Sequence, residues 1–394
     1  MKLLLKLVTG IVVGIGVGAL YYGVGEAGGF GAFLEFLVRL FITIKSILGS
    51  FIFFMIPLII LFFIANGISK IGIGSGKVVG VTLGTAYIST LGAGLLAYMV
   101  AMMVMPRITN GGSVPEEATG LEPFFTFEIA PLMDILTALV LAFAFGIVIT
   151  LTRSEVMEKW FEEGKNIVEF LIQKVVIPIL PFYIAGVFAE MASQGTVFNT
   201  LSVFGLVLLV AVALHWIWIT IQYTIAGALL GKNPFRMIKT MMPAYFTALG
   251  TMSSAATIPV TLQQTKENGV RGRIADFVIP LCANIHLSGS TITIVSCSIA
   301  VMSVLPEYQL PGFLAMLGTI MLLGVIMIAA PGVPGGAIMA ASGVLVTNLG
   351  FTEAAVAFMI ALYMAQDSFG TAANITGDGA VSAIVDAYER KLNK

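Results

Sequence analysis

Residues 252–261, MSSAATIPVT, read like a loop inside a chain too apolar to spend many loops away from water. In hydrocarbon an unpaired backbone N–H or C=O costs several kcal/mol, roughly, so a helix breaks at membrane depth only where protein or an aqueous cavity covers the break. The cations around the stretch decide how it lies. Lys239 precedes it and Lys266, Arg271 and Arg273 follow it, and cytoplasmic loops carry the excess of such residues. Both ends therefore belong on one face. The segment 240–265 is predicted to be a re-entrant hairpin with its tip at SSAATIP.

Composition sets the class. The 394-residue chain is 58% hydrophobic and 10% charged, with a mean hydropathy of +1.01. Water could not cover so much apolar surface, which points to a polytopic membrane protein. Runs long enough for helices of about 20 residues, without the strand alternation of outer-membrane barrels, make it all-α. A net charge of −1 gives no electrostatic case for nucleic acid. Cys282 and Cys297 have the spacing of neither a zinc knuckle nor a redox pair and read as small core residues. The basic, apolar N-terminus has no clear cleavage site and reads as a first transmembrane helix.

The apolar segments fall at 5–26, 30–68, 77–106, 123–153, 161–193 and 198–231, then 240–265, 272–305, 309–350 and 352–388. Lys2 and Lys6 place the N-terminus inside; Lys70 and Lys77, then Arg153, Lys159 and Lys165, then Lys232, Arg236 and Lys239 follow the even segments. Six crossings fit before the hairpin. Segment 272–305 crosses outward, and 352–388 ends inside before Arg390, Lys391 and Lys394. Segment 309–350 then begins and ends outside, with a broken middle, APGVPGGA, containing Pro331 and Pro334. It is predicted to be a second hairpin from the opposite face. Paired interrupted segments entering from opposite faces point to a transporter site at the midplane.

Within 365–381, AQDSFGTAANITGDGAV, residues Asp367, Thr371, Asn374 and Asp378 share one helix face, with Gly370 beside them. A carboxylate in mid-membrane is costly and usually faces a cavity or an ion. Asp378 is the strongest candidate cation ligand, with Asp367 nearer the outer end. In CANIHLSGSTI, Asn284, His286, Ser288, Gly289 and Ser290 interrupt a helix, so carbonyls can turn inward towards a hard cation such as sodium. His286 is either a proton-linked group or a neutral hydrogen-bonding residue. His215, among tryptophans in ALHWIWI, reads as structural. A serine hydrolase using Ser253 or Ser290 with His286 is disfavoured by the lack of a G-x-S-x-G pattern.

Four motifs in order, SSAATIPVT, NIHLSGST, GVPGG and NITGD, resemble those of the dicarboxylate/amino acid:cation symporters, the glutamate transporter family. The resemblance covers nearly the whole chain. It implies eight transmembrane helices and two hairpins, alternating access, no enzymatic activity, no cofactor besides coupling sodium ions, a plasma or inner membrane location with both termini cytoplasmic, and a homotrimer in contact with lipid. Residues 1–72 and 123–231 would be mainly scaffold, and 77–106 and 235–394 mainly the mobile transport part. By position, Ser253, Ser254, Val333 and Gly335 would hold the substrate carboxylate, with Asn374; Asp367 and Thr371 would take its amino group, and Gly370 would line the side-chain pocket. A first sodium would lie at Asp378 and Asn374 with carbonyls near Cys282 and His286. A second would lie at Asn284, Met327, Ile328 and Ala330.

Two departures shape the functional expectation. Acidic-substrate members carry an arginine on the eighth helix, where this chain has Gly370, or in the first tip, where it has Met252. An unpaired carboxylate in the pocket would be costly, so a small neutral amino acid of the alanine, serine or threonine class is expected. SSAATIPV and QDSFGTA also look like the serine/threonine branch. The alternative is a sodium- or proton-coupled carrier of acidic amino acids or dicarboxylates. Second, the family's Asn-Met-Asp-Gly-Thr becomes His286 to Ser290, facing Tyr87, Thr90 and Leu91. A deep third sodium site should be empty or weak, and His286, buried without a carboxylate partner, should be neutral.

Overall fold

A computed structural model describes residues 2–25, 28–71, 77–109, 121–195, 197–305, 307–328, 330, 332 and 334–392. Among these the regular structure is helical, with no strand. In chain order the helices are α1 (Lys2–Val24), α2 (Gly28–Ile59), α3 (Ala65–Ile71), α4 (Lys77–Thr109), α5 (Ile135–Thr152), α6 (Glu155–Leu171), α7 (Ile177–Ser193) and α8 (Val197–Leu230). There follow α9 (Pro234–Thr251), α10 (Ser254–Glu267), α11 (Gly272–Ile285), α12 (Ser288–Val304), α13 (Phe313–Met327), α14 (Gly336–Leu349) and α15 (Glu353–Leu392). Single π-helical turns, Ile60–Ile64 and Ile172–Val176, join α2 to α3 and α6 to α7 without a loop.

Among the described residues six stretches are long and apolar enough to cross a membrane: Leu5–Val24, Gly28–Ser69, Val78–Arg107, Glu155–Ser193, Phe204–Leu230 and Gly272–Val304. The outer helices expose large apolar side chains, among them Leu5, Phe33, Ile88, Met103, Leu151 and Leu209. Such a surface needs an apolar cover. The fourth segment begins later than its hydropathy predicts, at Ile135 rather than 123. Pro123 and Pro131 keep the chain extended, and this strap lies on α2: Phe124 N donates to Thr43 Oγ1 at 2.9 Å and Arg39 Nε donates to the Glu122 carbonyl at 3.1 Å. Asp134 then caps α5 by accepting from Thr137 N at 2.8 Å.

The helix α1 lies along α7 on three glycines one turn apart. A Cβ at Gly10, Gly14 or Gly18 would strike the carbonyl of Pro181, Ala185 or Ala189 respectively, so only glycine permits this backbone approach. Helix α15 is buried along almost its whole length, packed mainly on α8, α9 and α12. Burial inside protein explains why it can carry three aspartates, an asparagine and several hydroxyls where an outer helix could not.

Both predicted interruptions are present as packed helix pairs, but the first is much narrower than the loop expected at 252–261: only Met252 and Ser253 leave helical geometry, and the rest of the stretch, Pro259 included, begins α10. The first, α9 and α10, turns at Met252, which adopts the left-handed conformation (φ 53°), and Ser253 caps α10 by accepting from Ala256 N at 3.3 Å. The second, α13 and α14, resumes at Gly335, again left-handed (φ 74°). Between α11 and α12 only His286 and Leu287 leave helical geometry.

Candidate functional site

The two turns meet. Ser253 Oγ donates to the Gly332 carbonyl at 3.2 Å, the one direct bond between the tips among the described residues. Helix α15 holds the second tip in turn, because Asp367 Oδ2 accepts from Gly335 N at 2.8 Å. Asn284 on α11 lies beside the same tip: a Cβ at Gly332 would be 3.6 Å from its Oδ1. Ser254 is buried in the first turn of α10, and Thr371 is buried on α15 one turn after Asp367. Val333 and Pro331 lie outside the described residues. Met327 and Ala330 are buried where α13 ends, with Ile328 half-buried between them.

The break between α11 and α12 is capped by α15. Leu287 offers no side-chain cap to α12. Instead Asn374 Oδ1 accepts from Gly289 N at 2.8 Å and Ser290 N at 3.2 Å, taking two of the donors every helix start leaves open. Asn374 Nδ2 and the Tyr363 hydroxyl both donate to Ser290 Oγ at 3.0 Å. From α8, His215 Nε2 lies 3.0 Å from the Gly289 carbonyl and 3.1 Å from Thr293 Oγ1, the structural role its surroundings predict. The Cβ position of Gly370 faces Thr293 Oγ1 at 3.4 Å, so this side of α15 is filled by α12.

One turn below Asn374, Asp378 meets His286. Asp378 Oδ1 lies 2.8 Å from His286 Nδ1, and both side chains are 0% exposed. The expectation of a histidine without a carboxylate partner is therefore corrected: the break at His286 swings the ring onto α15, a geometry no local spacing reveals. The other ring nitrogen, Nε2, lies 2.8 Å from Ser89 Oγ of α4, and Gln222 Nε2 of α8 donates to Ser89 Oγ at 2.8 Å. Tyr87 donates to the Met321 carbonyl and Thr90 to the Ala86 carbonyl, so neither expected hydroxyl of α4 is spent on His286.

Asp378 Oδ2 and the hydroxyls of Ser288 and Ser382, all buried, have no hydrogen-bond partner among the described residues. The amide of His286 bonds the Cys282 carbonyl at 2.9 Å, which leaves that oxygen a second lone pair. A buried carboxylate oxygen without a partner, on the helix that faces the break, is the kind of ligand that suits one hard cation.

The order Ser89, His286, Asp378 also has the atom pattern of a hydrolase triad. Ser89, however, lies in the middle of α4, where neighbouring backbone N–H groups are committed to the helix and cannot serve as oxyanion donors.

A profile of the sodium:dicarboxylate symporter family matches residues 3–388. The chain belongs to this family. Excitatory amino acid transporter 1 of Ambystoma tigrinum is 27% identical over 264 residues, 66% of this chain and 48% of that protein. The Homo sapiens protein of the same name is 28% identical over 215 residues, 53% of this chain and 38% of that protein. Neutral amino acid transporter B(0) of Bos taurus is 25% identical over 264 residues, 65% of this chain and 48% of that protein. The chain spans about half the length of the curated relatives it matches, or less. In this symporter-family chain sequence reading passed over Ser89, Gln222 and Tyr363. Gln222, a lone amide in IWITIQYTIAG, was a visible polar interruption; Ser89 carried no signal, since small hydroxyls often bond their own helix.

Proposed function

We propose that the protein is a sodium-coupled symporter of small neutral amino acids, of the alanine, serine and threonine class, working by alternating access. The observation that carries this is the charge inventory between the tips and the floor of the site. Asp367 and Asp378 are there, and among the described residues no lysine or arginine is; Arg271, Arg273 and Arg390 are engaged by Asp386 and Glu389 at the far end of α15. Helix-start N–H groups at the tips, apart from those of Ala256 and Gly335 that Ser253 and Asp367 already accept, suit a carboxylate, Asp367 suits an ammonium, and a second carboxylate on the substrate would have no partner. Relatives named for excitatory and for neutral amino acids both occur, so the argument rests on this inventory.

In this reading Ser253, Ser254, Val333, Gly335 and Asn374 receive the substrate carboxylate and Asp367 with Thr371 its amino group. Gly370, packed on α12, bounds the side-chain pocket by its smallness. One sodium takes Asp378 Oδ2 with carbonyls near Cys282, His286 and Asn374, and a second takes carbonyls around Asn284, Met327, Ile328 and Ala330, roughly two per substrate at one for each intact ligand set. The eight-crossing architecture with α9/α10 and α13/α14 re-entrant, both termini cytoplasmic, in a plasma or inner membrane, belongs to the same proposal. So does a trimer held by 1–72 and 123–231 around a moving 77–106 and 235–394; the glycine seam of α1 on α7 and the continuous burial of α15 support such a division.

The test is uptake into proteoliposomes across the amino acids, with an inward sodium gradient and without one. Alanine, serine or threonine should accumulate only with sodium. Aspartate accumulation without any of the three would overturn the substrate assignment, and sodium-independent accumulation would overturn the coupling.

A further inference from the structure

We propose that the His286 imidazole is a built-in occupant of the cation position on Asp378 Oδ1, and that this residue thereby sets how many sodium ions move with each substrate. The inference rests on the sodium-coupled reading above and adds a determinant of its stoichiometry. Four side chains from four parts of the fold form one buried chain of bonds. Gln222 Nε2 donates to Ser89 Oγ at 2.8 Å, Ser89 Oγ lies 2.8 Å from His286 Nε2, and His286 Nδ1 lies 2.8 Å from Asp378 Oδ1. Run in that order, the amide donates to the hydroxyl, the hydroxyl to Nε2, and the Nδ1 proton to the carboxylate, so each link has one donor and one acceptor.

The ring is seated, not merely near. A Cβ at residue 377 would come within 2.8 Å of His286 Cε1 and within 2.9 Å of the Gln222 amide oxygen, so Gly377 supplies a notch in α15 that the imidazole fills. Ring and carboxylate are both 0% exposed, which removes water as a competitor for Oδ1. A sodium ion seeking both oxygens of Asp378 would have to displace a ring bonded at each nitrogen, and nitrogen is a poor substitute ligand for so hard an ion. The two oxygens are thus divided: Oδ1 is taken by the protein, and Oδ2, which has no partner among the described residues, is left for one ion. Ser89 and Gln222 act through the ring and are positioning residues.

Replacing His286 by Asn removes a side chain long enough to span Ser89 and Asp378, and vacates the notch while leaving oxygen ligands. The full chain, purified and reconstituted, is assayed for sodium ions per substrate from reversal potentials, and in detergent for sodium bound by calorimetry. His286→Asn is expected to gain one sodium per substrate and one per molecule by calorimetry. Ser89→Ala, which loosens the ring without touching the carboxylate, is expected to lower half-saturating sodium about fivefold with the count unchanged. A His286→Asn protein with the wild-type sodium count overturns the inference; should that variant fail to reconstitute, wild-type half-saturation in Ser89→Ala overturns it instead. If the wild type shows no sodium-driven uptake, the transport reading falls, while the calorimetric count on the same proteins still decides the role of His286.

Discussion

Helix α15 carries two carboxylates that are both 0% exposed, Asp378 and Asp386, about two helical turns or ~12 Å apart, and they are treated in opposite ways. Asp386 is saturated: Arg271 Nε reaches Oδ1 at 2.5 Å and Arg390 Nη2 reaches Oδ2 at 2.7 Å, while Glu389 extends the network to Arg273. Asp378 has one imidazole on one oxygen and nothing on the other among the described residues. A structural carboxylate is surrounded by permanent cations, whereas one left half-satisfied in the same kind of burial retains capacity for a cation that comes and goes. Both arginines on Asp386 reach partly into water, at 33% and 43% exposure, so that cluster also marks the wet end of the helix.

The comparison breaks most sharply on removal of the Asp378 charge. Asp378→Asn is expected to abolish sodium-dependent uptake, by at least about 100-fold, since the ion loses its only charged ligand; unfolding measured in detergent should change little, because amide and imidazole can still bond. Asp386→Ala should do the reverse. It takes one carboxylate from Arg271, which keeps Glu389, and from Arg390, which keeps the Gly269 carbonyl, and is expected to cost about 2 kcal/mol of stability, discounted because both side chains are partly exposed, with uptake per folded molecule nearly unchanged. If Asp386→Ala lost transport at constant stability, the division of roles would fail.

Ser253→Ala tests the roof of the site against its floor. It removes a helix cap and the tip contact, and the tip contact alone, about 1 kcal/mol, should raise half-saturating substrate roughly fivefold with the sodium count unchanged. The smallest effect belongs to Ser382, which lies between the two aspartates with an unpartnered hydroxyl. Ser382→Ala should shift stability within about 0.5 kcal/mol. A concurrent rise in half-saturating sodium would extend the cation site down α15 as far as that hydroxyl.

What sequence revealed here follows from what is local. The run at 330–337 announced its break through proline and glycine; the run at 252–261 announced a helix pair but overstated the loop, since only Met252 and Ser253 leave helical geometry and Ser254, Thr257, Pro259 and Thr261 belong to α10. The four-residue rhythm from Asp367 to Asp378 set one face of α15, and in the structure its members reach successively Gly335, the start of α12 and His286. Contacts between distant helices were not legible. Ser89 meets His286 across 197 positions of chain, and the neighbouring Tyr87 and Thr90 looked equally suitable until their own bonds were seen. The strap at 123–134 was misread as membrane helix because aromatic residues are as apolar laid against a helix as within one. Neither π-helical turn left a mark, since Ile60–Ile64 is as regular in hydropathy as its flanks.

The tips are joined directly by one hydroxyl, Ser253 Oγ on the Gly332 carbonyl. A neutral bond of this kind nets about 1 kcal/mol, a factor of about five between joined and parted. So weak a fastening opens readily in thermal motion. On the symporter reading proposed above, the unloaded pocket would flicker, a closed interval would be prolonged by a substrate bonded to both tips at once, and turnover would be timed by how long that substrate stays.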